Sequence, residues 1–330
     1  MANFTFITAS DIHISDTNPR SRIDNFKESI LDKISQMAMA CNKLGADGFI
    51  LAGDLYNIKN PARNSHRLNQ ELIAAFQQFN CPVYMIEGNH DLTGNNLESL
   101  ESQPLGVLFR DKTLIQLRHE ILEKDGAKIS LVGVPYTDDP DLEHLDIPPK
   151  DDCIAQICAM HIYASPTPGM LFSERIYGYR DFEHLSPDIF VFGHYHIDQG
   201  ITEENDKCYV NIGAVSRGTL SEDSINHNPK IGLLKISNDD GEVSVNAQPL
   251  KLKVKPVSEV FDMEKKKEEQ EEKKEIEAFV EKLVSDSSNV MDDKDGKIED
   301  IIGGMVDKMD VAEAIRNKVM GFIEEAIAQR

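Results

Sequence analysis

Short apolar runs alternate with amphipathic segments over the first 250 residues. The runs are bounded by Gly, Pro or polar residues and predict strands at 3–10, 47–53, 82–88, 128–136, 154–161, 188–196, 208–214, 231–237 and 242–250. Apolar residues recur at helical spacing in 25–44 and 66–79, which predicts two helices. This mixture predicts a layered α/β fold, with helices outside and two sheets packed face to face.

The pattern changes near Pro256, where the chain becomes dense in charge. Beyond it, apolar residues recur at intervals of three and four in 276–284, 298–309 and 315–327, which predicts two amphipathic helices joined by a turn. We therefore expect a catalytic domain over 1–255, a linker over 256–263 and a helical extension over 264–330. A calcium loop at 291–302 is excluded, because Met291 and Ile302 would occupy the first and twelfth ligand positions.

Composition narrows the class of protein. Hydrophobic residues make up 40% and charged residues 28% of the 330, which is typical of a soluble globular protein. No apolar run reaches the roughly 18 residues that span a bilayer, so no membrane contact is expected. The N-terminus has no basic residue before Arg20, unlike a secretory signal. Five cysteines without a C-x-x-C pair indicate reduced thiols, and we expect a cytoplasmic protein.

The net charge of −22 is unusual for a protein that wraps nucleic acid. Residues 256–330 hold 12 basic and 21 acidic residues, and the remainder holds 23 and 36, so the excess is spread over the whole chain. If the substrate is a polyanion, bound metal and a local basic patch must overcome this field.

Side chains that can bind metals follow five of the predicted strands, at the point where each strand ends. They are Asp11 and His13, then Asp54, then Asn89, His90 and Asp91, then His161, and finally His194 and His196. Ligands of open α/β sheets collect beyond the carboxyl ends of strands. Each motif alone has an ordinary explanation, such as a turn at Gly53-Asp54 or a hydrogen-bonded core histidine at His161. Their joint occurrence favours a metal site.

The order D-x-H, G-D, G-N-H-D, H and G-H-x-H resembles the calcineurin-like metallophosphoesterases over roughly residues 5–215. The resemblance implies a two-sheet α/β/β/α sandwich and two adjacent divalent metals. It places Asp11, His13, Asp54 and His196 around one metal and Asp54, Asn89, His161 and His194 around the other, with Asp54 as the bridge. Oxygen and nitrogen ligands without thiolate suit Mn²⁺ or Fe²⁺, and Zn²⁺ less specifically.

The same resemblance makes His90 the histidine that faces the phosphate without binding metal, where it would stabilise the transition state or protonate the leaving oxygen. Asp91 would orient His90, as carboxylates often do for histidines. Asn57 stands third after the bridging residue, where nucleases of this type often carry His or Asp, so one group directed at phosphate differs here. The implied reaction is in-line attack of hydroxide on phosphorus.

Four segments resemble the SbcD (Mre-type) nuclease subunit, namely ASDIHISDTN, AGDLYNIKNPARNS, FGHYHIDQGI and YVNIGAVSRGTLSED. Because the chain is compact, it looks most like a phage version of this subunit. This implies DNA, as double-stranded ends or single strands, as the substrate of an exonuclease or endonuclease. It also implies that 264–330 docks on an SbcC-type coiled-coil ATPase, and that helices around 62–79 and 92–109 form a homodimer contact. Little room remains for a DNA-capping domain, so the grip on DNA is expected to depend on the partner.

Two other functions compete with this one. A small-molecule or protein phosphatase of the same superfamily explains the acidity more simply, but it leaves the C-terminal helices unexplained. A structural adaptor for an ATPase is disfavoured by the intact set of metal ligands.

Overall fold

The computed structural model describes residues 2–264 and 267, except residues 172, 220 and 240. The helices in this part of the chain are α1 Phe26–Leu44, α2 His66–Phe76, α3 Pro104–Arg110, α4 Glu222–Asn226 and α5 Val257–Val260. The strands are β1 Ala2–Ala9, β2 Gly48–Leu51, β3 Val83–Met85, β4 Ile115–Gln116, β5 His119–Lys124, β6 Ala127–Val134, β7 Ala155–His161, β8 Ala164–Ser165, β9 Gly169–Leu171, β10 Glu174–Gly178, β11 Ile189–Gly193, β12 Gly200–Glu204, β13 Lys207–Asn211, β14 Lys230–Asp239 and β15 Glu242–Lys251.

The strands form two six-stranded sheets and one small sheet. The first large sheet has the order β15-β14-β1-β2-β3-β4, and β1 to β4 run parallel. The second has the order β12-β13-β11-β7-β6-β5, in which β13, β11, β7 and β6 run parallel. The small sheet, β8-β10-β9, follows β7 in the chain. The parallel strands of each large sheet therefore end at one edge.

Alternation of side chains along the strands builds the layers. In β1, Phe4 and Phe6 point into a core shared by the two large sheets, where they join Ile157 and Val191. The neighbouring Ile7 points the other way, into a second core. That core lies between the first sheet and helices α1 to α3. The predicted two-sheet α/β fold is confirmed.

In the described residues, the outer face of the second sheet lacks the layer of helices that the α/β/β/α sandwich predicts. Phe190, Phe192 and Tyr209 on its strands pack against Tyr179 and Phe182, which lie in the 3₁₀ turn Tyr179–Phe182. The Tyr179 and Tyr209 rings stack with centroids 4.6 Å apart. In the described residues this face is covered by the turn and β10, because large aromatic rings fill the layer that a helix would otherwise occupy.

Helix α1 shows how the local sequence sets an element. The Asn25 side chain accepts a hydrogen bond from the Glu28 backbone N–H and caps the first turn. Gly45 ends the helix in the left-handed conformation, with φ of 61°. Ile30, Ile34, Met37 and Cys41 lie on the buried face that packs on the first sheet. The predicted helix over 25–44 is confirmed.

Two sequence-based boundaries differ from the structure. The sequence predicts a helix over 92–109, but this segment consists mainly of 3₁₀ turns. Helix α3 begins only at Pro104, and proline is common in the first turn of a helix. The compact unit runs to Phe261 rather than 255. Phe261 is buried and lies under the Arg22 guanidinium, 5.3 Å from the ring centroid. The division into a linker over 256–263 and an extension over 264–330 stays a prediction.

The predicted helical extension over 264–330 lies outside the described residues, except for positions 264 and 267. None of the described helices combines the length and apolar character needed to cross a membrane.

Candidate metal centre

The seven predicted ligands meet where five parallel strands end. Strands β1, β2 and β3 lead to Asp11 and His13, to Asp54 and to Asn89, while β7 ends in His161 and β11 leads to His194 and His196. Two groups of side chains result. One contains Asp11, His13, Asp54 and His196, the other contains Asp54, His161 and His194, and the ligand-type atoms within each group all lie within 4.8 Å of one another.

The first group is built around His13 Nε2. This nitrogen lies 3.4 Å from Asp54 Oδ2, 3.7 Å from Asp11 Oδ1 and 2.9 Å from His196 Nε2. His196 Nε2 is itself 3.5 Å from Asp11 Oδ1. Two carboxylates and two imidazoles therefore point at one small volume, as the ligands of a divalent cation do.

The second group is built around His161 Nε2, which lies 3.5 Å from Asp54 Oδ2 and 3.3 Å from Asn89 Oδ1. The other ring nitrogen, His161 Nδ1, donates a hydrogen bond of 2.7 Å to the Ala52 carbonyl. In the neutral ring this bond places the proton on Nδ1 and leaves the lone pair of Nε2 inside the group, as in most histidines that bind metals. Burial lowers the pKa of His161, but the neighbouring Asp54 and Asp11 raise it to about 9, so a cation bound here would replace the Nε2 proton. Asn89 joins the group through its side-chain oxygen.

Asp54 belongs to both groups. Its Oδ1 accepts a hydrogen bond of 2.8 Å from the His90 backbone N–H. Its Oδ2 is buried and accepts no hydrogen bond from the described residues. Burial opposes the charged form, yet His161 and His13 hold the pKa of this carboxyl below its usual range. An ionised, buried oxygen without a donor fits a bridging position between two cations.

The backbone carries unusual conformations at this site. Asp11, His13, Asp54 and His194 have positive φ values of 55°, 49°, 55° and 78°. Residues with a side chain rarely adopt this region, and such strain tends to collect at functional sites. Hydrogen bonds hold the arrangement, including the one from the His194 N–H to Asp11 Oδ2 at 3.1 Å.

Gly88 packs so closely against Asp54 that a residue with a side chain would not fit. A Cβ atom at Gly88 would lie 2.1 Å from Asp54 Oδ1, closer than any real contact. Glycine is therefore required here so that the β3 loop can approach the shared carboxylate.

His90 lies beside the first group without joining it. Its ring centroid is 4.7 Å from that of His13, and the rings meet edge to face. His90 Nδ1 donates a hydrogen bond of 2.8 Å to the backbone carbonyl of Asn57, which leaves Nε2 free of this bond. Burial lowers the pKa of His90. The structure thus orients His90 through the main chain at Asn57, a contact that side-chain chemistry could not predict.

The expected role of Asp91 needs correction. Its carboxylate accepts hydrogen bonds from the backbone N–H groups of Asp54, Tyr56 and Gly88, at 2.9, 3.0 and 3.0 Å, and does not orient His90. Burial and the neighbouring Asp54 raise the pKa of Asp91 to about 8, against the effect of the N–H donors. Asp91 therefore binds the loop after β2 to the loop after β3, because the turns that present the ligands leave several N–H groups without partners.

Three residues that contact His194 were not predicted from the sequence, namely Glu174, Tyr163 and Tyr136. The Glu174 carboxylate accepts a hydrogen bond of 2.9 Å from His194 Nε2, which leaves Nδ1 with its lone pair. Tyr163 and Tyr136 pack on the His194 ring, with centroids 3.9 and 5.1 Å away. Burial and the neighbouring His161 lower the pKa of His194 to about 4, so the ring is neutral and able to bind a cation. No motif marks these three residues in the sequence.

Two cavities adjoin the metal centre. One, of about 720 Å³, is lined by His13, Asn57, His90 and His196. The other, of about 410 Å³, is lined by residues that include His161 and His194. Both groups of ligands are therefore accessible from a cavity.

Known proteins resemble this chain in sequence and fold. The family profile named calcineurin-like phosphoesterase matches residues 4–198. The DNA double-strand break repair protein Mre11 of Archaeoglobus fulgidus is 31% identical over 108 residues, which are 31% of this chain and 23% of that protein, so the match spans less than a quarter of this relative.

Solved structures are similar to this chain to different degrees. A Staphylococcus aureus protein assigned as a 5′-nucleotidase superimposes with a TM-score of 0.51 at 18% identity, covering 77% of this chain and 55% of that one. A dimetal phosphatase from Danio rerio has a TM-score of 0.46 at 12% identity, covering 75% of this chain and 98% of that one.

Proposed function

This chain belongs to the calcineurin-like phosphoesterase family, and we propose that it is a metal-dependent DNA nuclease subunit that hydrolyses phosphodiesters with two divalent ions. The observation that carries the catalytic part is the position of Asp54 Oδ2. This buried oxygen lies 3.4 Å from His13 Nε2 and 3.5 Å from His161 Nε2, and no described residue donates a hydrogen bond to it. A carboxylate in that place is suited to holding two cations at once.

The ligands divide into two sets that share Asp54. In the proposal, Asp11, His13 and His196 complete one set, and Asn89, His161 and His194 complete the other. When bound, two such ions activate water as a nucleophile near neutral pH and neutralise charge on the phosphate. We infer Mn²⁺ as the preferred ion, with Fe²⁺ or Zn²⁺ as substitutes, because the ligands are oxygen and nitrogen without thiolate.

His90 supplies the proton in this proposal. The side chain lines the larger cavity together with His13 and His196, and its Nδ1 is held by the Asn57 carbonyl. For this role the ring must be doubly protonated, a state that burial disfavours and that the negative charge of a bound phosphate would favour. Nε2 then gives its proton to the leaving oxygen as the phosphorus–oxygen bond breaks, and the neutral ring keeps the proton on Nδ1. A positioned donor of this kind typically contributes about a hundredfold to ten-thousandfold in rate.

The choice of DNA as substrate rests on sequence similarity. The relative that is 31% identical over 108 residues is a DNA double-strand break repair protein. The segments that contain the ligands, such as AGDLYNIKNPARNS with Asp54, resemble the SbcD (Mre-type) subunit over further stretches. The second candidate remains a phosphatase of the same superfamily, which the net charge of −22 favours.

A direct substrate comparison tests the proposal. We expect the purified full chain with Mn²⁺ to cleave linear double-stranded DNA or single-stranded oligonucleotides, and to hydrolyse bis-p-nitrophenyl phosphate, a diester, faster than p-nitrophenyl phosphate, a monoester. Chelation by EDTA should stop every reaction, since no described side chain replaces the ions. Rapid hydrolysis of the monoester with DNA left intact would instead identify a phosphatase.

The partner proposal concerns 264–330, which lie outside the described residues apart from positions 264 and 267. We infer from the apolar spacing of this segment that it docks on the coiled coil of an SbcC-type ATPase. A chain ending at Met263 keeps the buried Phe261. It should therefore melt near the temperature of the full chain and still hydrolyse the small diester, but fail to co-purify with the ATPase. A shortened chain that still binds the ATPase would contradict this assignment.

A further inference from the structure

Three lysines stand on one side of the chain where β15 ends. Lys251, Lys253 and Lys255 are exposed, whereas Leu252 is buried and Val254 is partly buried. This alternation is that of an extended chain with one face on the protein and one face in solvent. We call Lys251, Lys253 and Lys255 the lysine strip.

The lysine strip starts at the cavity that contains His90. Lys251 lines this cavity together with its cross-strand partner Lys230. The far end is attached to the same region, because Arg217 donates a hydrogen bond of 2.9 Å to the Lys255 carbonyl and the neighbouring Ser216 also lines the cavity. The strip therefore runs along the rim of the candidate active site.

The charges of the strip are available for a ligand. Among the described residues, no carboxylate lies within 4.0 Å of the ammonium groups of Lys251, Lys253 or Lys255, whereas Lys230 is paired with Asp198. The chain as a whole is acidic, with a net charge of −22. Three cations that have no carboxylate partner among the described residues are thus a local exception to the net negative charge of the molecule.

Further positive charge is buried next to the strip. Arg22 and Lys33 donate hydrogen bonds to the carbonyls of Arg217 and Val215, at 2.6 and 2.8 Å. Burial, together with the charges of Arg217 and Arg22, lowers the pKa of Lys33 to about 7. The Arg217 Nε atom is buried without an acceptor in the described part of the chain. Arg22 is paired with Asp24, whose Oδ1 lies 2.7 Å from the Arg22 Nε, so the charge of Arg217 is the one that favours an anion at this rim.

The spacing of the strip suits a repeating anion. Alternate residues of an extended chain are about 6.6 Å apart, so three lysines offer regularly spaced charges, whereas a lone phosphate needs only one. The cavity beside them is also lined by Ser216, Thr219, Ser221 and Asn226. Hydroxyl and amide side chains of this kind contact the phosphates and sugars of nucleic acids.

We propose that the lysine strip binds the phosphates of one polynucleotide strand on its way to or from the cavity that contains His90. The inference rests on the proposed nuclease function and deepens it, because it assigns a grip on DNA to this chain itself rather than to a partner. Lys251 lines the cavity, whereas Lys253 and Lys255 do not, so longer strands engage more of the strip.

The test compares two triple variants of the full chain with Mn²⁺. Lys251→Ala/Lys253→Ala/Lys255→Ala removes the strip. The control, Lys43→Ala/Arg110→Ala/Lys235→Ala, removes three exposed positive charges that do not line the two cavities. The KM for cleavage of oligothymidylates of increasing length is measured at several salt concentrations, and circular dichroism checks the fold.

We expect the strip variant to raise the KM for the longest strand about tenfold and the control to change it little. The salt dependence of log KM should fall by about 2, since each phosphate contact to a single strand contributes roughly 0.7. The penalty should shrink as the strand is shortened. A strip variant with the salt dependence and length dependence of the control would overturn the inference.

The same experiment separates this inference from the proposed function. A wild-type protein that hydrolyses bis-p-nitrophenyl phosphate but no oligonucleotide would overturn DNA as the substrate. Cleavage of oligonucleotides that is equally strong in the wild type and the strip variant would overturn only the strip.

Discussion

Asp54→Asn is expected to remove both metal ions at once and with them hydrolysis of any phosphoester. Asp54 Oδ2 lies within 3.5 Å of a histidine nitrogen from each group, namely His13 Nε2 and His161 Nε2. An amide is neutral and offers one oxygen in place of two, so it bridges two cations poorly. The bound metal, measured by mass spectrometry after dialysis against Mn²⁺, should fall from about two ions per chain towards zero.

Matched variants make this result specific. His196→Ala removes a ligand of the first group only and should mainly weaken one ion. Asp152→Asn makes the same chemical change at an exposed carboxylate that pairs with Lys128 and lines neither cavity, and should leave both ions bound. If Asp54→Asn still binds two ions tightly, Asp54 is not the bridge.

His90→Ala should leave two ions bound while lowering kcat for DNA by about a hundredfold or more, the usual scale for losing a positioned proton donor. The His90 side chain lines the cavity beside His13, whereas only the backbone N–H of His90 contacts the Asp54 carboxylate. The substitution therefore removes the proton donor but no metal ligand. The loss should be smaller for bis-p-nitrophenyl phosphate, because nitrophenolate leaves without needing a proton. Single-turnover rates with both substrates, together with the metal content, decide the question.

Asn57→Ala is the natural control for His90. The contact that holds His90 Nδ1 comes from the Asn57 backbone carbonyl, which alanine retains. Activity close to wild type in this variant, alongside the loss in His90→Ala, would assign the effect to the histidine itself. A metal-loaded His90→Ala protein with normal turnover of DNA would remove His90 from the mechanism.

The strands and the residues that follow them could be predicted from the sequence alone. The apolar runs at 3–10, 47–53 and 82–88 became β1, β2 and β3, because short runs of buried residues bounded by Gly, Pro or polar residues are visible in the sequence alone. The candidate ligands follow these strands directly. The positions of the strand ends were therefore enough to predict that Asp11, Asp54 and Asn89 lie at one edge of a sheet.

Tertiary structure alone decided the contacts between segments distant in the chain. The Glu174 carboxylate accepts a hydrogen bond from His194, and no sequence motif marks this contact. The Asp91 carboxylate accepts a hydrogen bond from the backbone of the neighbouring loop, and the Asn57 carbonyl accepts one from His90. Main-chain hydrogen bonds can involve any residue type, so they leave no mark on the sequence. The lysine strip follows the same logic: its alternation is visible in the sequence, but only packing of β15 against β14 places Lys251 at the cavity beside His90.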